Sequence, residues 1–315
     1  MKRYFIVLVV SLLCGNGWAS DTLTVLFTGD ILLDRGVRKA ILHGGIDRLL
    51  APCDSLLASA DVVVGNLECP ATMIHQPMFK RYVFRGEPEW LYDLRRHGFT
   101  HMNLANNHSV DQGRAGLADT RRNVAAAGLI PVGAGPNMTT AAAPVLLAEH
   151  PRRVWLLASQ RLALENFALL PDQESVSQEP LDTLLRRIRD LREADPESCI
   201  LVTLHWGAEH RTRHTPQQAM EARRMIAAGA DAVVGHHPHV LQESELFRGR
   251  MIFYSIGNFL FDQSNPINSA AGVVRVRVTK HQIESTLLPI TIRHCTPLPA
   301  PSAAEKQASD IKGVP

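Results

Sequence analysis

Six short apolar runs in this chain each carry, at or near their end, a side chain able to ligate a metal or hold a substrate, and no other feature narrows the fold as much. LTVLFTGD ends at Asp30, DVVVGNLE at Glu68, FTHMNLANNH at His108, DAVVGHHPH at His239 and MIFYSIGN at Asn258, while CILVTLHWG contains His205. Runs so continuously apolar and β-branched suit strands covered on both faces. Helical patterns lie between them, over 88–97, 111–127 and 180–193, and in a segment capped by Thr215, opened by Pro216 and stopped by Gly229. Strands alternating with helices imply an α/β fold with mostly parallel sheet layers and helices on the outer faces. In such sheets ligands bind beyond the carboxyl ends of the strands, which is where these polar residues fall. Residues 270–293 differ: Val274, Val276 and Val278 alternate with Arg275, Arg277 and Thr279. That period predicts a half-exposed antiparallel strand and a C-terminal β-hairpin.

The remaining segments set the boundaries. Lys2 and Arg3, a short apolar run and Gly17-Trp18-Ala19 predict a signal peptide over 1–19, cleaved after Ala19, and hence export to the periplasm or cell envelope. Removing Lys2 and Arg3 lowers the basic count from 33 to 31, equal to the 31 acidic residues, so the mature chain is formally neutral. A neutral chain has no electrostatic footprint for nucleic acid. Apolar residues make up 45% of the 315, enough for one domain over 20–295. Residues 296–315, rich in Pro, Ala and Ser, read as a disordered tail. Cys53, Cys69, Cys199 and Cys295 form no Cys-x-x-Cys pair, which argues against a cysteine zinc site.

The chemistry rests on the joint occurrence of the strand-end residues. Gly235-His236-His237-Pro238-His239 is the sharpest local signal, because neutral imidazoles are the commonest transition-metal ligands. Asn107 offers an amide oxygen next to the imidazole of His108, and Asp111 is spaced either to orient that imidazole or to cap the next helix. Asp30, Glu68 and His205 complete a set of hard and imidazole ligands without thiolates. This mixture suits one or two divalent ions such as Mn, Fe, Zn or Mg. Arg85, in FRGEP, could bind an anionic substrate group or sit in a structural salt bridge; His236 and Asn258 are further candidates for substrate contact. A serine-hydrolase elbow and a phosphate-binding P-loop are both missing.

TGDILLDR at 28–35, GNLE at 65–68, FRGEP at 84–88, NLANNHSVDQG at 103–113, LHWGAE at 204–209, GADAVVGHHPHVLQ at 229–242 and YSIGNFLFDQ at 254–263 together resemble the CapA family of capsule and poly-γ-glutamate synthesis proteins, also called PgsA. The resemblance implies a calcineurin-like metallophosphoesterase fold. By analogy Asp30 would hold a first metal, Glu68 would bridge, Asn107 would hold a second, and His205 with two of His236, His237 and His239, taken here as His237 and His239, would complete the ligands. His108 would be the acid near the leaving group. Asp30 is followed by Ile31 and Leu32, so the histidine of that superfamily's Asp-x-His block is absent, and Glu68 is longer than the usual bridging Asp. The resemblance implies a metal-dependent hydrolase acting on an envelope polymer or a phosphoester, or alternatively a non-catalytic component of a membrane polymer-synthesis complex.

Overall fold

The computed structural model describes residues 21–263 and 265–300, so the segment expected to be a signal peptide lies outside the described residues. Two sheets stack face to face. The first runs, in order, Thr296–Pro299, Ile283–Arg293, Ala270–Thr279, Thr22–Ile31, Val62–Leu67, His101–Asn103 and Ile130–Val132. The last four strands of that order are mutually parallel and the first three are joined antiparallel. The second runs Ser244–Phe247, Arg250–Phe253, Ala232–His236, Cys199–His205, Val154–Gln160 and Val145–Ala148, parallel except at its two edges.

Alternation along each strand sorts its side chains into layers. Val25 and Phe27, with Val62, Val64, Leu156, Leu201, Val234 and Val276, fill the space between the sheets. Leu26 and Val63 face the other way, against a layer that includes Val37, Leu91, Leu94 and Leu117 from helices Arg35–Gly44, Trp90–Arg96 and Gly113–Ala126. Ile200, Val202 and Val233 pack outward onto Leu184, Leu185 and Ile188 of Leu181–Ala194 and onto Ala222 and Met225 of Pro216–Ala228. The central strands of each sheet are therefore covered on both faces, which is why they are apolar throughout, while the hairpin strands Ala270–Thr279 and Ile283–Arg293 keep exposed positions. Burying each large aliphatic side chain contributes roughly 1.5–3 kcal/mol, and these three layers supply the main driving force.

The helices begin where their capping chemistry puts them. Thr215 accepts a hydrogen bond from the Gln218 amide while the Gln218 side chain accepts one from the Thr215 amide, a closed capping box ahead of Pro216. Helix Arg35–Gly44, which the sequence pattern did not reveal, is capped by Asp34. The hairpin expected over 270–293 is formed by Ala270–Thr279 and Ile283–Arg293. The ordered body runs past the expected boundary at 295: Thr296–Pro299 pairs antiparallel with Ile290–Arg293, and Pro297 is buried. A Pro-flanked edge strand needs few ladder donors, so composition alone disguised it. All four described cysteines are free thiols. Burial pushes the Cys53 thiol up to about 12 and those of Cys69 and Cys199 higher still.

His101 gives this core a pH dependence. It is buried, its Nδ1 lies 2.8 Å from the Thr100 hydroxyl, and its Nε2 has no partner. Burial lowers its pKa from 6.5 to about 4. Between these values the unfolded chain binds a proton that the folded chain refuses, so stability falls as pH drops through that window. The His101→Leu variant is expected to lose about 2–3 kcal/mol less than the parent between pH 7 and pH 4.5. Urea unfolding at both pH values measures this, and identical slopes would refute it.

Candidate metal centre

The two sheets bring their carboxyl edges together, and the ligand-type residues meet there. Asp30 and Glu68 come from the first sheet, the one within Thr22–Ile31 and the other directly after Val62–Leu67. His205 ends its strand in the second sheet, and His237 and His239 follow Ala232–His236. Ligand atoms of Glu68, His205 and His237 all lie within 4.8 Å of one another, as do those of Asp30, Glu68 and His239. Glu68 belongs to both groups, the place a bridging carboxylate would take. All five residues are buried. His237 and His239 adopt φ of 96° and 56°, a region that side-chain-bearing residues enter at a cost of ~1–3 kcal/mol each. The loop accepts that strain to turn both rings toward the two carboxylates.

The electrostatics of this cluster are unbalanced without a cation. Both oxygens of Glu68 are buried and have no hydrogen-bond partner, and neither has His237 Nδ1. Burial, and then the neighbouring Asp30, push the Glu68 carboxyl well above its usual range. Burial also works to raise the Asp30 pKa, but the hydrogen bond and charge of His239 outweigh it and hold Asp30 low. Burial drives His205 well below its ordinary value and His237 down to about 3, which favours the neutral form that a metal takes. His239 differs: against burial, Glu68 and Asp30 lift it to about 9. Two buried carboxyl groups beside the neutral imidazoles of His205 and His237 are a donor set compatible with a divalent cation.

A scaffold of amides holds these ligands. Asn66 donates to Asp30 Oδ1 at 2.7 Å and lies 3.3 Å from His205 Nδ1, while its own oxygen accepts from Asn103 and Asn106. Asn107 Oδ1 lies 2.8 Å from His205 Nε2, which places the amide oxygen at the ligand cluster. Asn258 Oδ1 lies 2.9 Å from His239 Nδ1, fixing that ring from behind. Beside the ligands, His108 Nδ1 is 2.8 Å from Asp111 Oδ2, and Phe84 packs against the His108 ring with centroids 4.4 Å apart.

Three residues expected to contact substrate are placed otherwise. Arg85 binds both oxygens of Glu87 and the Thr72 carbonyl, so its guanidinium is committed to the fold. His236 spans the sheets, with Nε2 3.1 Å from the Thr28 carbonyl and Nδ1 3.4 Å from the Thr203 hydroxyl, which leaves neither nitrogen for a ligand. Asn258 supports His239 instead of facing solvent. Sequence reasoning passed over Asn66 and Asn103, whose signal was polarity at otherwise apolar strand ends, and Lys80, whose segment carries no periodic pattern to place it.

Residues 24–263, which contain every ligand named above, match the family described as bacterial capsule synthesis protein PGA_cap. The chain belongs to this family. It is 31% identical over 295 residues to the capsule biosynthesis protein CapA of Bacillus anthracis, covering 91% of this chain and 72% of that one. It is also 31% identical to the PGA biosynthesis protein CapA of Bacillus subtilis, covering 94% and 78%. A probable polyglutamine synthesis accessory protein of Mycobacterium tuberculosis is 29% identical over 290 residues, covering 77% of this chain and 75% of that one. Among solved structures, the sulfate thiohydrolase SoxB of Thermus thermophilus aligns with a TM-score of 0.52 at 12% identity, over 91% of this chain and 59% of that one. The NAD nucleotidase of Haemophilus influenzae aligns with a TM-score of 0.51 at 11% identity, over 92% and 55%. These show that the PGA_cap domain here has a metallophosphoesterase-like fold.

Proposed function

We propose that this PGA_cap family member is a metal-dependent hydrolase of capsule or poly-γ-glutamate polymer synthesis, working at the cell envelope. The observation that carries the reading is Glu68: a carboxylate with both oxygens buried and without a hydrogen bond, shared by two groups of candidate ligands. Asp30, Glu68, His205, His237 and His239, with Asn107, would hold one or two ions. A divalent ion there supplies charge neutralisation and Lewis-acid polarisation of a bound ester or amide. The chain's own residues do the rest. Burial keeps the ligand cluster apart from bulk solvent, Asn66 and Asn258 orient Asp30 and His239, and His108, held through Nδ1 by Asp111, would give a proton from Nε2 in its imidazolium form, which Asp111 favours against burial.

Elemental analysis after reconstitution with Mn, Fe, Zn or Mg, paired with a turnover screen on phosphoesters and γ-glutamyl polymers, tests this. Bound metal at one or two ions per chain with turnover is the expected result; metal-free protein after reconstitution would end the proposal. One observation favours a second reading, in which the site is structural within a polymer-synthesis complex. Ile31 and Leu32 follow Asp30 and are wholly buried, so the first ligand block offers no histidine. Full metal occupancy without turnover on any polymer or ester would favour that reading.

Export is part of the proposal. The charged start, short apolar run and Gly-Trp-Ala site motivate it, as do the names of the relatives. Among the described residues no helix is long and apolar enough to cross a membrane. N-terminal sequencing of protein from the producing cell is expected to read Ser20 first, and an intact Met1 on cytoplasmic protein would contradict it.

A further inference from the structure

Between Leu67 and Trp90 the chain runs through an irregular segment whose middle is exposed at Met73, Phe79, Arg81 and Tyr82. Lys80 is the exception. Its side chain is only 3% exposed and turns inward, with Nζ 2.5 Å from Asp111 Oδ1. The same ammonium donates to the backbone carbonyl of Asn107 at 3.0 Å. The other Asp111 oxygen is taken by His108 Nδ1 and by the Phe84 amide at 2.7 Å. One lysine from a surface segment thus grips the residue before His108 and the carboxylate that orients its ring.

We propose that Lys80 is a positioning residue for His108, making the 73–83 segment part of the reaction centre. The inference rests on reading His108 as the proton donor. A buried carboxylate needs a cation close by, and an ammonium meets that need. Charge balance alone does not explain the second bond. By holding the Asn107 carbonyl, Lys80 fixes the backbone at the point where two side chains diverge, with the Asn107 amide reaching His205 and the His108 ring lying against Asp111 and Phe84. The Met78 amide donates to the Asp111 carbonyl at 2.8 Å, and the Asn166 side chain donates to the Phe79 carbonyl, so the two residues immediately before Lys80 are both anchored. Displacement of the exposed Phe79–Tyr82 stretch by a polymer lying across it would pass through Lys80 to the orientation of the His108 ring.

The test reads the imidazole directly. In zinc-reconstituted protein, the His108 Nδ1 proton bonded to Asp111 should give a downfield, exchange-protected resonance, assigned by its disappearance in His108→Gln. Lys80→Met and Lys80→Gln are expected to abolish or broaden that resonance, with metal stoichiometry unchanged and cooperative unfolding retained. On a substrate that is turned over, both should lower kcat about 10–100-fold with little change in KM. An unaltered resonance in either folded variant would overturn the inference. So would failure of both variants to fold, which would make Lys80 a support of the fold alone. The resonance is read without turnover, so a protein lacking hydrolase activity would refute the proposed function and leave this result interpretable.

Discussion

His108→Ala is expected to lower kcat by ~10²–10⁴-fold while bound metal stays close to the parental stoichiometry. The separation follows from the geometry. His108 Nδ1 is occupied by Asp111, its ring packs on Phe84, and it belongs to neither ligand group. Its neighbour Asn107 is the residue whose side chain reaches His205. Removing the ring should therefore take away the proton donor and leave the ligand cluster. Asp111→Asn should cost less, because the imidazole remains but can take the wrong tautomer. Kinetics and metal analysis on one preparation decide the matter. Metal content falling together with activity would show that His108 ligates instead, and an unimpaired His108→Ala variant would remove it from the mechanism.

Glu68→Gln is expected to act in opposite directions with and without metal. In metal-free protein the carboxyl group is already driven toward neutrality by burial and by Asp30. An amide of the same shape should leave thermal stability unchanged or raise it. With saturating metal the parent gains stability by mass action, about 4 kcal/mol at a thousand times the dissociation constant. The variant, deprived of the group shared by both ligand sets, should gain almost none of it. Thermal unfolding with and without added metal gives all four values. A variant that still gained the full metal-linked stabilisation would mean that Glu68 is not a ligand.

The layered fold was legible because burial on both faces writes itself into a strand as unbroken apolar sequence, as in DVVVGNLE and CILVTLHWG. What periodicity could not convey is that the strands divide between two sheets. Val64 and Leu201 look alike in sequence, yet they meet across the space between the sheets. The candidate ligand residues were legible as types at strand ends. Their support was not, because it depends on ring orientation: His236 and His239 stand three positions apart, yet His236 ends a strand with its ring between the sheets, while the positive φ of His237 and His239 turns the chain so that His239 lies near Glu68. Lys80 was invisible for a related reason. Its partner lies 31 positions along the chain, and only the closed loop shows which lysine turns inward.

The candidate ligands divide by origin, with Asp30, Glu68 and Asn107 carried by the first half of the chain and His205, His237 and His239 by the second. An ion held there as proposed would be a rivet through two plates that an apolar layer already joins. Neither half of the sequence would hold it alone, so a chain whose sheets have not yet packed would offer the ion only part of its set.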